Sequence, residues 1–118
     1  MPARPLEAVV TGSAGAATIT LSGQIDRDAD QALAAAYAAA RDLGRPAIEL
    51  DFGRVDYINS TGIALIVRLL ADARRDRIAI TARGLTEHYR EIFRITRLSD
   101  FMTLVDDAAP VAATGGQG

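Results

Sequence analysis

Ala47-Ile48-Glu49-Leu50-Asp51-Phe52, then Gly53-Arg54-Val55-Asp56-Tyr57-Ile58, then Asn59-Ser60-Thr61-Gly62-Ile63-Ala64: this stretch decides the fold. In its first part Ile48, Leu50 and Phe52 alternate with Ala47, Glu49 and Asp51, the period of a strand with one buried face. Its last part opens a helix. Asn59 and Ser60 are good N-cap residues, and Ile63, Ile66, Val67 and Leu70 recur at helical spacing. Gly53 to Ile58 reads as a connector. Ile78-Ala79-Ile80-Thr81-Ala82 is the next strand, so the stretch is the centre of a strand–helix–strand unit. Such a unit calls for a right-handed crossover and parallel pairing.

Upstream, Leu6, Ala8 and Val10 alternate with Glu7, Val9 and Thr11, and Ala17 to Ser22 form a second period-2 strand. The small residues Gly12 to Ala16 join the two as a hairpin. A helix follows Asp26, with Asp28 or Asp30 as its cap. Leu33, Ala36, Tyr37, Ala40 and Leu43 form its apolar face, and Gly44 with Pro46 ends it. Downstream, a third helix starts near Thr86 and packs through Tyr89, Ile92 and Phe93, and a short strand from Phe101 to Val105 closes the domain. The fold class is α/β, a single domain in the order β-β-α-β-α-β-α-β. Strands covered on both faces would be almost uniformly apolar, and these alternate. A mixed four- to five-stranded sheet with helices mainly on one face is expected, and a doubly wound nucleotide-binding fold is not.

The chain has 118 residues, 49% of them hydrophobic and 24% charged, which suffices for one core and not for two. It has no cysteine and one histidine, His88, which removes disulfides, thiolate metal sites and most imidazole chemistry. All basic residues are arginine, so the lysine of a phosphate-binding loop is absent. Net charge is −2, too weak a field to recruit nucleic acid. No apolar run is long enough for membrane insertion, and the N-terminus does not read as a signal peptide. The expected layout is a flexible N-terminus over 1–5, the domain over 6–105 and a disordered tail over 106–118, in a soluble cytoplasmic protein with no cofactor.

Candidate chemistry is sparse. Asp26, Asp28 and Asp30 resemble the start of a calcium loop but lack its glycine and distal glutamate, so they read as capping acids and no metal is expected. His88, beside Glu87 and Glu91, reads as a solvated surface residue. The segment Asp56 to Ala64 stands out. Gly62 in a first helical turn costs about 1 kcal/mol relative to alanine, in a chain rich in alanine. Asn59-Ser60-Thr61-Gly62 also sets two hydroxyls and little bulk at the positive end of a helix, where an anion is favoured.

Over residues 6–105 the sequence resembles the STAS-domain anti-sigma factor antagonists. Leu21-Ser22-Gly23-Gln24-Ile25-Asp26 looks like that family's strand-end signature, and Leu50 to Ile58 looks like its central strand and connector. Asn59-Ser60-Thr61-Gly62-Ile63-Ala64 is similar to its Asp-Ser-[Ser/Thr]-Gly-Leu-Gly phosphorylation motif, with Asn59 for the aspartate and Ala64 for the second glycine. Phe93, Leu98 and Phe101 suit its last helix and strand. The resemblance implies that Ser60 is phosphorylated by an ATP-dependent anti-sigma factor serine kinase, with Thr61 as local competitor. It further implies that the unphosphorylated form binds that factor and frees a sigma factor, and that a serine phosphatase resets the cycle. The partner surface it implies comprises Gln24, Asp26, Asp56, Tyr57, Asn59, Ser60, Thr61, Gly62, Ala64 and Arg68. Ala64, Arg68, Ala71 and Arg75 form one helical stripe away from the apolar face, which extends that surface. Two other readings stand beside it. One is a STAS scaffold subunit of a lipid or anion transporter complex; the other is an enzyme with Ser60 as nucleophile, which lacks an evident general base because His88 lies on a later helix.

Overall fold

A computed structural model describes residues 4–105. Strands β1 (Glu7–Gly12) and β2 (Ala17–Ile25) form the hairpin, followed by a 3-10 turn at Arg27–Ala29 and helix α1 (Asp30–Asp42). Then come β3 (Ala47–Ile58), α2 (Ser60–Arg75), β4 (Ala79–Arg83), α3 (Glu87–Ile95), a 3-10 turn at Leu98–Asp100 and β5 (Thr103–Leu104). The sheet is five-stranded, in the order β1-β2-β3-β4-β5. β1 is antiparallel to β2, and every later pairing is parallel. The mixed α/β sheet expected from the alternation is therefore present. The expected C-terminal tail and residues 1–3 lie outside the described residues.

One sheet face is apolar and carries the core. Ala17, Ile19, Leu21 and Ile25 of β2, Ile48, Leu50 and Phe52 of β3, and Ile80 and Ala82 of β4 are all buried. They meet Leu33, Ala36, Tyr37 and Ala40 of α1, Ile66, Leu69, Leu70 and Ala73 of α2, and Phe93 of α3. Phe93 meets Phe52 edge to face, with ring centroids 5.8 Å apart. Burying one such aliphatic or aromatic side chain is worth about 1.5–3 kcal/mol. The alternate positions Thr18, Thr20, Glu49, Asp51 and Thr81 form the other, partly exposed face. The Tyr37 hydroxyl donates to the Asp76 carboxylate at 2.7 Å and so ties α1 to the end of α2.

The structure corrects several local readings. Gly53–Ile58 is not a connector: β3 continues through it and stays paired with β2 to Ile58. The register shifts between Thr20 and Ser22 and again between Gly23 and Gln24, so β3 carries extra residues there. Those irregularities break the alternation from which a strand is read. The cap after β2 is Asp26, whose carboxylate accepts the Asp28 N–H at 3.0 Å; α1 itself has no side-chain cap. Val67 is 46% exposed, and Leu69 takes its place in the core. The last strand shortens to Thr103–Leu104 because Leu98–Asp100 winds as a 3-10 turn.

Candidate functional site at the start of the second helix

β2 and β3 run in parallel and end together, with Gln24 beside Tyr57 and Ile25 beside Ile58. Four hydrogen bonds lock the chain as it leaves β3. The Ile58 N–H donates to the Tyr89 hydroxyl of α3 at 3.0 Å, and the Asn59 N–H to the Ile25 carbonyl at 3.2 Å. The Asn59 side-chain oxygen accepts the Gly62 N–H at 2.8 Å, and its carbonyl accepts the Ile63 N–H at 2.9 Å. Asn59 is thus the N-cap expected of it. Ser60 is the first residue of α2, exposed, and the neighbouring Thr61 is exposed too. Among the described residues neither hydroxyl has a hydrogen-bond partner.

Gly62 faces the other way. It is buried, and a Cβ built on it would lie 2.7 Å from the Ile25 carbonyl carbon, a separation real Cβ atoms do not show. Its lack of a side chain admits α2 to the end of β2; it does not open the Ser60 face. The cost of glycine in a helical turn is the cost of that close approach.

A second fixed point lies alongside. The Arg4 carbonyl accepts the Gln24 N–H at 3.1 Å, and the Arg4 guanidinium pairs with the Asp56 carboxylate at 2.9 Å. Gly23, at φ +98°, sits under the Pro5 carbonyl, where a Cβ has no room. A left-handed backbone with a neighbour that close suits glycine alone. Nothing in the sequence connects Arg4 to Asp56, because the pair arises only when β1 is laid beside β2.

A family model described as Mlab, STAS domain matches residues 9–106. The chain belongs to the STAS family. BtrV of Bordetella bronchiseptica, named as an anti-sigma factor antagonist, is 28% identical over 93 residues, 79% of this chain and 80% of BtrV. An anti-sigma factor antagonist from Mycobacterium paratuberculosis superposes with a TM-score of 0.66 at 23% identity over 84% of each chain. The anti-sigma factor antagonist SpoIIAA in its unphosphorylated form gives 0.65 at 17% identity, covering 92% of this chain and 99% of that one. Its phosphorylated form gives 0.63 at 16% identity, covering 91% and 98%. At these identities the superpositions establish the fold.

On this STAS domain the residues singled out from sequence fall on one rim. Gln24 lies at the end of β2 and Asp26 just beyond it, Asp56 and Tyr57 lie near the end of β3, and Asn59, Ser60 and Thr61 open α2. Asp26, Arg27, Asp28, Asn59 and Thr61 line one shallow depression, which sets Thr61 beside two acids and an arginine. Tyr57 is 49% exposed, and Ala64 and Arg68 are exposed one and two turns along α2. Arg68 lies 3.6 Å from Asp30 of α1. Gly62 alone of the set is turned inward. Ile25, Tyr89 and Arg4, which hold the rim in place, were not legible, since each acts through a backbone group or a distant partner. His88 is exposed on α3. Among the described residues no group of three or more His, Cys, Asp or Glu is arranged to hold a metal. No helix among them is long and apolar enough to cross a membrane.

Proposed function

We infer that this chain is an anti-sigma factor antagonist whose binding is switched by phosphorylation of Ser60. The observation that carries the reading is the exposed Ser60 hydroxyl, unpartnered among the described residues, on the first residue of a helix whose start is locked on both sides. The likeness to BtrV and to SpoIIAA supports it. In this reading the unphosphorylated chain binds an anti-sigma factor that is also an ATP-dependent serine kinase, and the sigma factor is released. Ser60 Oγ then takes the γ-phosphoryl group: the new O–P bond forms, the bond to the β-phosphate oxygen breaks and ADP leaves. The hydroxyl proton passes to a base of the kinase. A serine phosphatase restores Ser60 by hydrolysis.

The physics of the switch is local. A phosphate adds about −1.5 to −2 charges at neutral pH. At a helix N-terminus such charge is stabilised by about 0.3–1 kcal/mol, so the domain stays folded and the effect falls on the partner interface. A loss of about 3–4 kcal/mol there lowers affinity several-hundred-fold. Thr61 is the poorer acceptor because its β-branched side chain is bulkier and stiffer about χ1 than that of Ser60. A nucleophilic role for Ser60 finds no support, since its hydroxyl bonds neither a histidine nor a carboxylate among the described residues.

A second reading, a STAS scaffold subunit of a transporter complex without a phospho-switch, is favoured by Asn59 and Ala64. Both stand where the phosphorylation motif has other residues. Phosphopeptide mass spectrometry after reaction with the cognate kinase and ATP separates the two. The expected result is phosphate on Ser60, none on the Ser60→Ala variant, and full anti-sigma factor binding by that variant. Phosphate on Thr61 alone, or undiminished binding by Ser60-phosphorylated chain, overturns the switch.

A further inference from the structure

The exposed crest of α2 (Ala64, Arg68, Ala71, Arg75) is flanked by two grooves of opposite character. On the α1 side the groove is rimmed by charged pairs: Arg68 lies 3.6 Å from Asp30 across it, and Arg75 pairs with Asp72 along α2 at 2.6 Å. On the other side Val67, Leu70 and Ala71 of α2 face Leu98 and Phe101 across a cleft of about 250 Å³. This second groove is apolar and open. Val67 is 46% exposed and Phe101 52%, and Ile95, at 69%, ends the helix just before the groove's Thr96 wall. Two of the exposed large apolar side chains, Val67 and Phe101, thus stand on the walls of one cleft. Large apolar groups clustered in this way mark interaction sites, whereas scattered ones carry no such meaning.

The charges on the rim are unequal. Arg97 is paired with Asp100 at 2.7 Å. The Arg74 guanidinium instead lies over the Phe101 ring, 5.6 Å from its centroid, and among the described residues it has no carboxylate partner. An apolar cleft with an arginine at its edge that no described carboxylate neutralises is complementary to a large apolar side chain followed by a carboxylate. Ala71 belongs both to this cleft and to the crest, so the two surfaces are continuous.

We propose that the anti-sigma factor docks across the crest of α2 and inserts an apolar side chain of an acidic amphipathic segment between Val67 and Phe101, its carboxylate meeting Arg74. This inference rests on the anti-sigma factor reading above and adds to it a second contact on the far side of the helix from α1. Phosphorylation at Ser60 would then disrupt one end of a longer interface whose other end is the cleft.

The test compares the wild-type chain with Val67→Glu, Phe101→Glu and Arg74→Glu for binding to the purified cognate anti-sigma factor by calorimetry, with thermal melts to confirm folding. Both Val67→Glu and Phe101→Glu are expected to weaken binding at least tenfold, and Arg74→Glu about fivefold. In parallel, 1-anilinonaphthalene-8-sulfonate, an aromatic anion, is expected to fluoresce with the wild-type chain and with Arg68→Glu but not with Val67→Glu. Wild-type affinity in folded Val67→Glu and Phe101→Glu overturns this inference and leaves the anti-sigma factor reading standing. Absence of binding by the wild-type chain overturns that reading itself. Self-association of the wild type that Phe101→Glu abolishes assigns the cleft to a second copy, and stronger dye binding after removal of residues 106–118 assigns it to the chain's own C-terminus. Either result overturns the proposal.

Discussion

The α-carbon of Gly62 in α2 rests against the backbone of Ile25 at the end of β2, so close that a Cβ would lie 2.7 Å from the Ile25 carbonyl carbon. The same carbonyl accepts the Asn59 N–H. One peptide group of β2 therefore sets both where α2 begins and how close it lies to the sheet, and Ser60 is held between those two contacts.

Replacing this glycine should invert the usual rule. In an exposed helix Gly→Ala stabilises by about 1 kcal/mol. Here the methyl group meets backbone that cannot swing aside, and overpacking of this kind costs about 1–3 kcal/mol. Gly62→Ala is expected to lower stability by about 2 kcal/mol in urea denaturation. A variant as stable as wild type, or more so, would show that the approach to Ile25 is looser than described.

Asn59 contributes through its cap. Asn59→Ala removes the acceptor for the Gly62 N–H and should cost about 1 kcal/mol. Asn59→Asp keeps the acceptor and adds negative charge at the helix N-terminus, for a gain of about 0.3–1 kcal/mol at low salt. Melting curves at low and high ionic strength check both, and the aspartate gain should shrink as salt rises.

Arg68 tests the partner crest. Its pairing with Asp30 is exposed on both sides, and such pairs contribute about 0–1 kcal/mol. Arg68→Glu should shift stability by less than 1 kcal/mol while weakening anti-sigma factor binding tenfold or more. Unchanged affinity would remove Arg68 from the interface.

Tyr37 makes stability sensitive to alkali. Burial, and then the hydrogen bond to Asp76 and its charge, hold the phenol well above its ordinary value. Its folded pKa is raised, so the folded state keeps a proton that the unfolded chain releases near pH 10. The contribution is complete below about pH 10 and is lost as pH climbs from there toward the folded value. Denaturation followed from pH 8 to 11 should show stability falling above about pH 10, with a shallower fall in Tyr37→Phe. That variant should itself be about 1–2 kcal/mol less stable at neutral pH. Equal slopes in the two proteins would assign the alkaline loss to other groups.

The features legible in the chain are those that near neighbours in sequence decide. Alternation along Ala17–Ser22 and Ala47–Phe52 is a property of successive residues, and it was enough to settle a sheet with one apolar face. Asn59 and Thr86 cap their helices through bonds reaching three residues, so both starts were legible. Tertiary structure decided what depends on a distant partner. β3 runs on to Ile58 because β2 remains beside it to pair with, although the irregular register hides that from the pattern. Gly62 is small because Ile25 is there. Val67 is outside because the phase of α2 on the sheet selects Leu69 in its place, and helical spacing alone allows either. Arg4 reaches Asp56 because the hairpin folds it back across 52 residues of chain. In each case the deciding group lies far away in sequence, and only packing brings it within range.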